Sequence, residues 1–125
     1  MIPAYRNFIA IVDDEPDLAY LFKLALSDNG YNIMTFTDPV AALEHVEQNH
    51  TKYRLVLSDV KMPVMDGIEL TKRIADKDRS FVLLLMSAFD RPEVLSQVDG
   101  MEVDFIQKPI PVEKLKQIIS GKLGH

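Results

Sequence analysis

Five short apolar runs, at about 7–12, 31–36, 54–58, 81–86 and 102–107, are separated by longer segments of mixed character. The runs are rich in aliphatic and β-branched residues, as "FIAIV" and "FVLLLM" show, and read as strands. They do not alternate polar with apolar positions, which is the pattern of a sheet covered on both faces. Between them, apolar residues recur at helical spacing. Leu18, Leu21, Phe22 and Ala25 fall at i, i+3, i+4 and i+7, and Gly30 follows as a stop signal. Asp38 and Pro39 supply an N-cap and a first helical residue for a helix reaching about Gln48. Leu70 and Ile74 mark a third helix, 91–98 a short and weakly patterned fourth, and Val112, Leu115 and Ile119 one face of a fifth.

Strands alternating with helices imply parallel pairing, because each helix serves as a crossover. The predicted class is therefore α/β, a doubly wound three-layer sandwich of five βα units. In such folds ligands bind beyond the carboxyl ends of the strands. Those ends carry Asp13 and Asp14 after the first strand and Asp59 after the third. Ser87 and Ala88 end the fourth, and Lys108, followed by Pro109, ends the fifth. Taken singly, each has an ordinary explanation: an Asp shapes a turn, a Ser caps, a Lys is solvated. Their convergence from separate segments on one sheet edge is what carries chemical meaning.

Composition narrows the classes. A chain of 125 residues suits one domain spanning 1–125, and 47% hydrophobic with 26% charged residues is ordinary for a globular protein. The net charge of −5 argues against direct nucleic-acid binding, which needs clustered Lys and Arg. The absence of cysteine excludes disulfides, thiolate zinc sites and cysteine nucleophiles. The longest apolar run is far below the roughly 20 residues that span a bilayer, so no membrane partner is expected. The N-terminus lacks a signal-peptide pattern, and the expected location is the cytoplasm.

Three carboxylates crowded into one site repel one another, so some protonate or a cation joins them. An all-oxygen set with few protein donors suits Mg²⁺, or Mn²⁺, which keeps waters and binds carboxylates together with a phosphate. Lys108 adds a point charge suited to a phosphoryl oxygen. A carboxylate nucleophile, a divalent cation, a lysine and a hydroxyl together suit phosphoryl transfer, where catalysis is chiefly positioning and charge neutralisation.

"VDDE" at 12–15, "SDVKMPVMDG" at 58–67, "MSA" at 86–88 and "FIQKP" at 105–109 resemble the receiver domain of two-component response regulators. The resemblance covers essentially the whole chain and implies a flavodoxin-like sheet of order 2-1-3-4-5. It implies Asp59 as the phosphoacceptor, served by a histidine kinase or a histidine phosphotransfer protein. Asp14 and Asp59 would hold the metal directly, Asp13 mainly through water, and Lys61 through its backbone carbonyl. Lys108 would pair with the phosphoryl group, across a cis bond to Pro109. Ser87 and Phe105 match the switch hydroxyl and switch aromatic, and Lys61 and Phe89 match positions that tune phosphoryl lifetime. The implied output is a downstream effector or a fused output domain, with a phosphorylation-dependent homodimer left open. Such a protein catalyses its own phosphorylation and dephosphorylation but is not a turnover enzyme.

Two alternatives stand beside this reading. An aspartyl-phosphate-forming, metal-dependent phosphatase would place an acid two residues after the nucleophile, where this chain has Lys61. A degenerate receiver that binds partners without phosphorylation would have lost part of the set Asp13, Asp14, Asp59, Ser87 and Lys108, all of which are present. Met62, Pro63 and Met65 read as loop-shaping and packing residues, and Gly67 as a backbone or close-packing requirement. His45, His50 and His125 share no metal-ligand spacing and are expected at the surface. Glu102 sits where a small residue commonly precedes the fifth strand; Asp104 before Phe105 resembles receivers that dimerise through the fourth helix, fifth strand and fifth helix, but Ile118 stands where those usually carry arginine, so the dimer mode stays open.

Overall fold

The β-rich runs pair side by side in parallel, forming one five-stranded sheet of order β2-β1-β3-β4-β5 in the computed structural model. The structure describes residues 6–27, 30–88 and 102–123. The strands are β1 (Phe8–Val12), β2 (Asn32–Phe36), β3 (Tyr53–Asp59), β4 (Val82–Ser87) and β5 (Val103–Gln107). The described helices are α1 (Pro16–Ser27), α2 (Pro39–Gln48), α3 (Gly67–Lys77) and α4 (Val112–Leu123), with a 3-10 turn over His50–Lys52. Each expected strand is present, with ends moved by a residue or so. The expected helix over 91–98 lies outside the described residues.

Side chains along a strand point alternately to the two sheet faces, and two apolar layers result. Ile9, Ile11, Leu55, Leu57, Leu84, Met86 and Ile106 meet Ala19, Phe22 and Leu26 of α1 and Leu115, Ile119 and Leu123 of α4. On the other face Ala10, Val12, Val56 and Leu83 meet Ala42, Leu43 and Val46 of α2 and Leu70 and Ile74 of α3. A register shift between Phe8 and Ile9 along β3 carries Tyr53 onto the α2/α3 face, out of step with Leu55.

Local chemistry sets the helix starts. Asp38 accepts a hydrogen bond from Val40 N at 3.0 Å, with Pro39 opening α2 as expected. Asp66 does the same for Glu69 N at 2.8 Å and starts α3. These caps satisfy backbone donors that the first helical turn leaves unpaired. Gly30 adopts φ +82°, the left-handed conformation that glycine takes at least cost.

Two expectations are corrected. On α1 the buried face is Ala19, Phe22 and Leu26, whereas Leu21 of the sequence stripe is 48% exposed, beside exposed Tyr20 and Leu24. The helix is apolar on more than one side, so spacing alone did not select its buried face. His45 and His50 are not free surface residues. His45 Nε2 lies 2.7 Å from the hydroxyl of buried Tyr53, and His50 Nδ1 lies 3.0 Å from Asp78 Oδ2. His125 lies outside the described residues.

Candidate functional site

Parallel pairing aligns the strand ends, and backbone hydrogen bonds extend that alignment one step beyond the sheet. Asp13 N donates to Phe36 O at 3.0 Å, Val60 N to Met86 O at 2.8 Å and Lys108 N to Ser87 O at 2.8 Å. Asp13, Asp59, Ser87 and Lys108 are thereby fixed at one edge of the sheet. Asp13 Oδ1 also accepts from Glu15 N at 2.9 Å, turning the chain from β1 into α1.

Lys108 Nζ stands 3.3 Å from Asp13 Oδ2 and 3.3 Å from Asp59 Oδ2, with Glu15 Oε1 at 3.9 Å. Carboxylate oxygens of Asp13, Asp14 and Asp59 lie within 4.8 Å of one another. Asp13 is fully buried, Asp59 is 8% exposed, and Asp14 opens to solvent. Burial raises the Asp59 carboxyl above its ordinary value; Lys108 opposes the rise, while Asp13 and Asp14 reinforce it. For Lys108 burial favours the neutral form, yet Asp13 and Asp59 outweigh it and hold the ammonium above its usual range. Three acids facing one lysine leave the cluster with excess negative charge.

That donor set fits a hard divalent cation. All its ligand atoms are carboxylate oxygens, and the exposed side of Asp14 leaves room for the waters that Mg²⁺ retains. Lys61, two residues past Asp59, has an exposed side chain. Ser87 is buried at the end of β4. Phe105 on β5 is partly buried and packs against Val60, Ile68 and Leu85. The Lys108–Pro109 peptide bond is cis, as the sequence resemblance implied. Phe89 lies outside the described residues.

The close packing expected at Gly67 is present, and one backbone feature, at Val64, escaped sequence reading. Gly67 is packed so closely on β3 that a Cβ there would stand 2.1 Å from Asp59 O. Its place in "MDG" hinted at close packing but not at what it touches. Val64, between Pro63 and Met65, has φ +72° and is 93% exposed. Met65 N donates to Pro63 O at 2.8 Å, closing a three-residue γ-turn around it. A β-branched residue gives no sequence signal for that backbone.

Comparison with known proteins accords with this geometry. A family model described as the response regulator receiver domain matches residues 9–120. The two-component response regulator ARR10 of Arabidopsis thaliana is 33% identical over 116 residues, 93% of this chain and 21% of that protein. The alkaline phosphatase synthesis transcriptional regulatory protein PhoP of Bacillus subtilis is 34% identical over 104 residues, 81% of this chain and 42% of that protein. The chain thus spans less than half the length of either relative. Among solved structures, a CheY-like response regulator receiver domain protein from Methanospirillum hungatei JF-1 has 26% identity and a TM-score of 0.82, with 94% of each chain covered. The sheet order, the acidic edge and the matched span agree, and the chain belongs to the response regulator receiver domain family.

Proposed function

We propose that this chain is a phosphorylation-activated signalling switch whose phosphoacceptor is Asp59. The observation that carries the reading is the placement of the Asp59 carboxylate 3.3 Å from Lys108 and beside Asp13 and Asp14. The donor is the phosphohistidine of a histidine kinase or phosphotransfer protein. Its P–N bond breaks as an Asp59 oxygen bonds phosphorus, and the electron pair returns to the imidazole. Asp14 and Asp59, Asp13 through water, and the Lys61 carbonyl would hold Mg²⁺, which supplies neutralisation of the charge on the transferring phosphoryl oxygens.

The chain's own groups do the rest. Lys108 neutralises a phosphoryl oxygen once its contact with Asp59 is exchanged for one with the phosphate. Ser87 donates its hydroxyl to the phosphoryl group, and Phe105 follows by deeper burial. Lys61 and Phe89 govern access of water to the phosphorus and so the lifetime of the signal. The altered face then engages an effector or an output domain, without direct contact to nucleic acid or membrane. We take 1–125 as one receiver domain acting in the cytoplasm, phosphorylated and dephosphorylated on itself rather than turning over a substrate.

Mass spectrometry after treatment with acetyl phosphate and Mg²⁺ tests the reading. A stable adduct of one phosphoryl group, mapped to Asp59 and missing in Asp59→Asn, is the expected result. Continuous release of phosphate would instead indicate a phosphatase, and an unmodified chain would indicate a receiver that works without phosphorylation.

A further inference from the structure

The two outer edges of the sheet differ in chemistry. β5 carries Asp104, whose carboxylate pairs with Lys122, and it is flanked in sequence by Glu102 and Lys108. Charges of this kind guard an exposed strand edge against the addition of a further strand. β2, at the other edge, pairs with β1 alone among the described residues. Residues 30–37, "GYNIMTFT", hold no charge and no proline. That edge has none of the usual guards, and its β-branched and aromatic residues suit a strand.

The backbone shows which groups this edge offers. Asn32 N donates to Asn7 O, and Phe36 O accepts from Asp13 N, so both residues turn their main-chain groups towards the β1 segment. Successive residues of a strand direct these groups to opposite sides. Ile33 and Thr35 therefore aim N–H and C=O outward, where no described strand meets them. They stand symmetrically about Met34, whose side chain is 38% exposed.

We propose that the β2 edge is an interface between two copies of this chain, their β2 strands pairing antiparallel about a two-fold axis at Met34. In that register Ile33 of one copy faces Thr35 of the other, and each such pair exchanges both N–H···O bonds. The two Met34 residues form the closer pair between them, with Cα atoms about 4.5 Å apart. Asn32 comes opposite Phe36, and no like charges meet along the strand. A second copy is the fitting partner because the outward groups are spaced evenly about one residue, which makes the edge complementary to itself. Tyr20, 60% exposed, flanks the same edge. It lies about 200° around α1 from Leu18, which faces Pro109 and Ile110 on the β5 side. Antiparallel pairing points the acidic ends of the two sheets in opposite directions, so both Asp59 sites stay open. One short strand with few flanking side chains buries less than the roughly 1,200 Å² of a stable interface, and the expected Kd is about 0.1 mM.

The chain has no cysteine, so Met34→Cys places a single thiol on the axis. A Cα separation of about 4.5 Å is one that a disulfide spans. With diamide as oxidant, Met34→Cys should give the disulfide-linked dimer at least about tenfold faster than Ala41→Cys, whose thiol is exposed on α2. Each rate is divided by that thiol's rate with iodoacetamide, which removes differences in intrinsic reactivity. Sedimentation equilibrium of the parent at about 0.5 mM should show monomer and dimer together. Thr35→Pro deletes an outward N–H and spares the ladder to β1, while Met34→Lys sets like charges face to face. Each should raise Kd at least about tenfold. Met34 is exposed, so its replacement by lysine keeps the fold even where proline at 35 does not. A parent that stays monomeric, a dimer that Met34→Lys does not weaken, or equal normalised cross-linking at 34 and 41 overturns the interface. Assemblies larger than a dimer also overturn it, because two-fold pairing uses up the edge.

Discussion

Gly67 packs directly on the backbone of Asp59: a Cβ at 67 would stand 2.1 Å from the Asp59 carbonyl oxygen and 2.9 Å from Ser58 Oγ. The neighbour is main chain, fixed in a central strand, and cannot step aside as a flexible side chain would. Gly67 N also donates to Val60 O at 2.8 Å, which holds the first turn of α3 to the end of β3. Gly67→Ala is expected to destabilise the chain by at least about 3 kcal/mol, because overpacking here must displace backbone. Urea denaturation of the two proteins checks this. A loss below about 1 kcal/mol would show that β3 and α3 separate easily.

Val64 is strained in the opposite sense, by its own backbone. A β-branched residue at φ +72° costs on the order of 1–2 kcal/mol, and its 93% exposed side chain makes little packing to set against that. Val64→Gly, which has no Cβ to strain at positive φ, should therefore stabilise the fold by up to about 1 kcal/mol, the relief of strain exceeding the added freedom of the unfolded chain. The chemical-denaturation midpoint would rise without a change in slope. No gain would mean that the turn relaxes when the valine is present.

Asp78 anchors the far end of the sheet, where Arg6 Nη2 lies 3.3 Å and His50 Nδ1 3.0 Å from its Oδ2. Burial alone would raise its carboxyl. Hydrogen bonds from Ser80 and His50 and the charge of Arg6 overcome this and lower it to about 2, from an ordinary 3.8. An acid titrating lower in the folded than the unfolded chain stabilises the fold above its unfolded value. That stabilisation fades as pH falls from about 4 towards 2. The difference is worth about 2 kcal/mol. Asp78→Asn should cost about that much at pH 6 and much less near pH 2, measured by urea denaturation at both values. An equal cost at both would assign the effect to lost hydrogen bonding.

Signal lifetime gives a kinetic prediction. If Asp59 is the phosphoacceptor as proposed, hydrolysis needs a water in line with the Asp59–phosphorus bond, and the proposed role of Lys61 and Phe89 is to obstruct that water. An amide and a carboxylate at those positions can orient the water instead. The double change Lys61→Asn with Phe89→Glu should shorten the phosphoryl half-life, measured in excess Mg²⁺ after the donor is removed. Decay no faster than in the parent would release both residues from this role.

The parts of this protein legible in its sequence are those set by short-range pattern. Unbroken apolar strands, the Asp38–Pro39 cap and the acids, serine and lysine at the strand ends all came from spacing and composition. Sheet order did not, because periodicity gives the faces of a strand but not its neighbours; the family resemblance supplied it. Phe22 and Leu26 could not be preferred to Leu21 on α1, since that helix carries apolar residues on more than one side. His45 and His50 read as surface residues because their partners, Tyr53 and Asp78, come from other segments. A pairing made only by the fold leaves no local trace.

The acids that would hold a metal also repel each other without one, which sets two effects of opposite sign at Asp14. Asp14 is exposed, yet it lies close enough to help raise the Asp59 carboxyl. Removing its charge in Asp14→Asn should leave the metal-free fold as stable as the parent or slightly more so, because a like charge is lost. The same change removes a metal ligand. Mg²⁺ at about ten times its dissociation constant should stabilise the parent by about 1.4 kcal/mol, a rise in Tm of roughly 5 °C. The variant should show almost none of that rise at the same concentration. Thermal melts of both proteins with and without Mg²⁺ separate the two effects. If the parent does not respond to Mg²⁺, the three carboxylates do not act as one site. An equal response in the variant would place the ion away from Asp14.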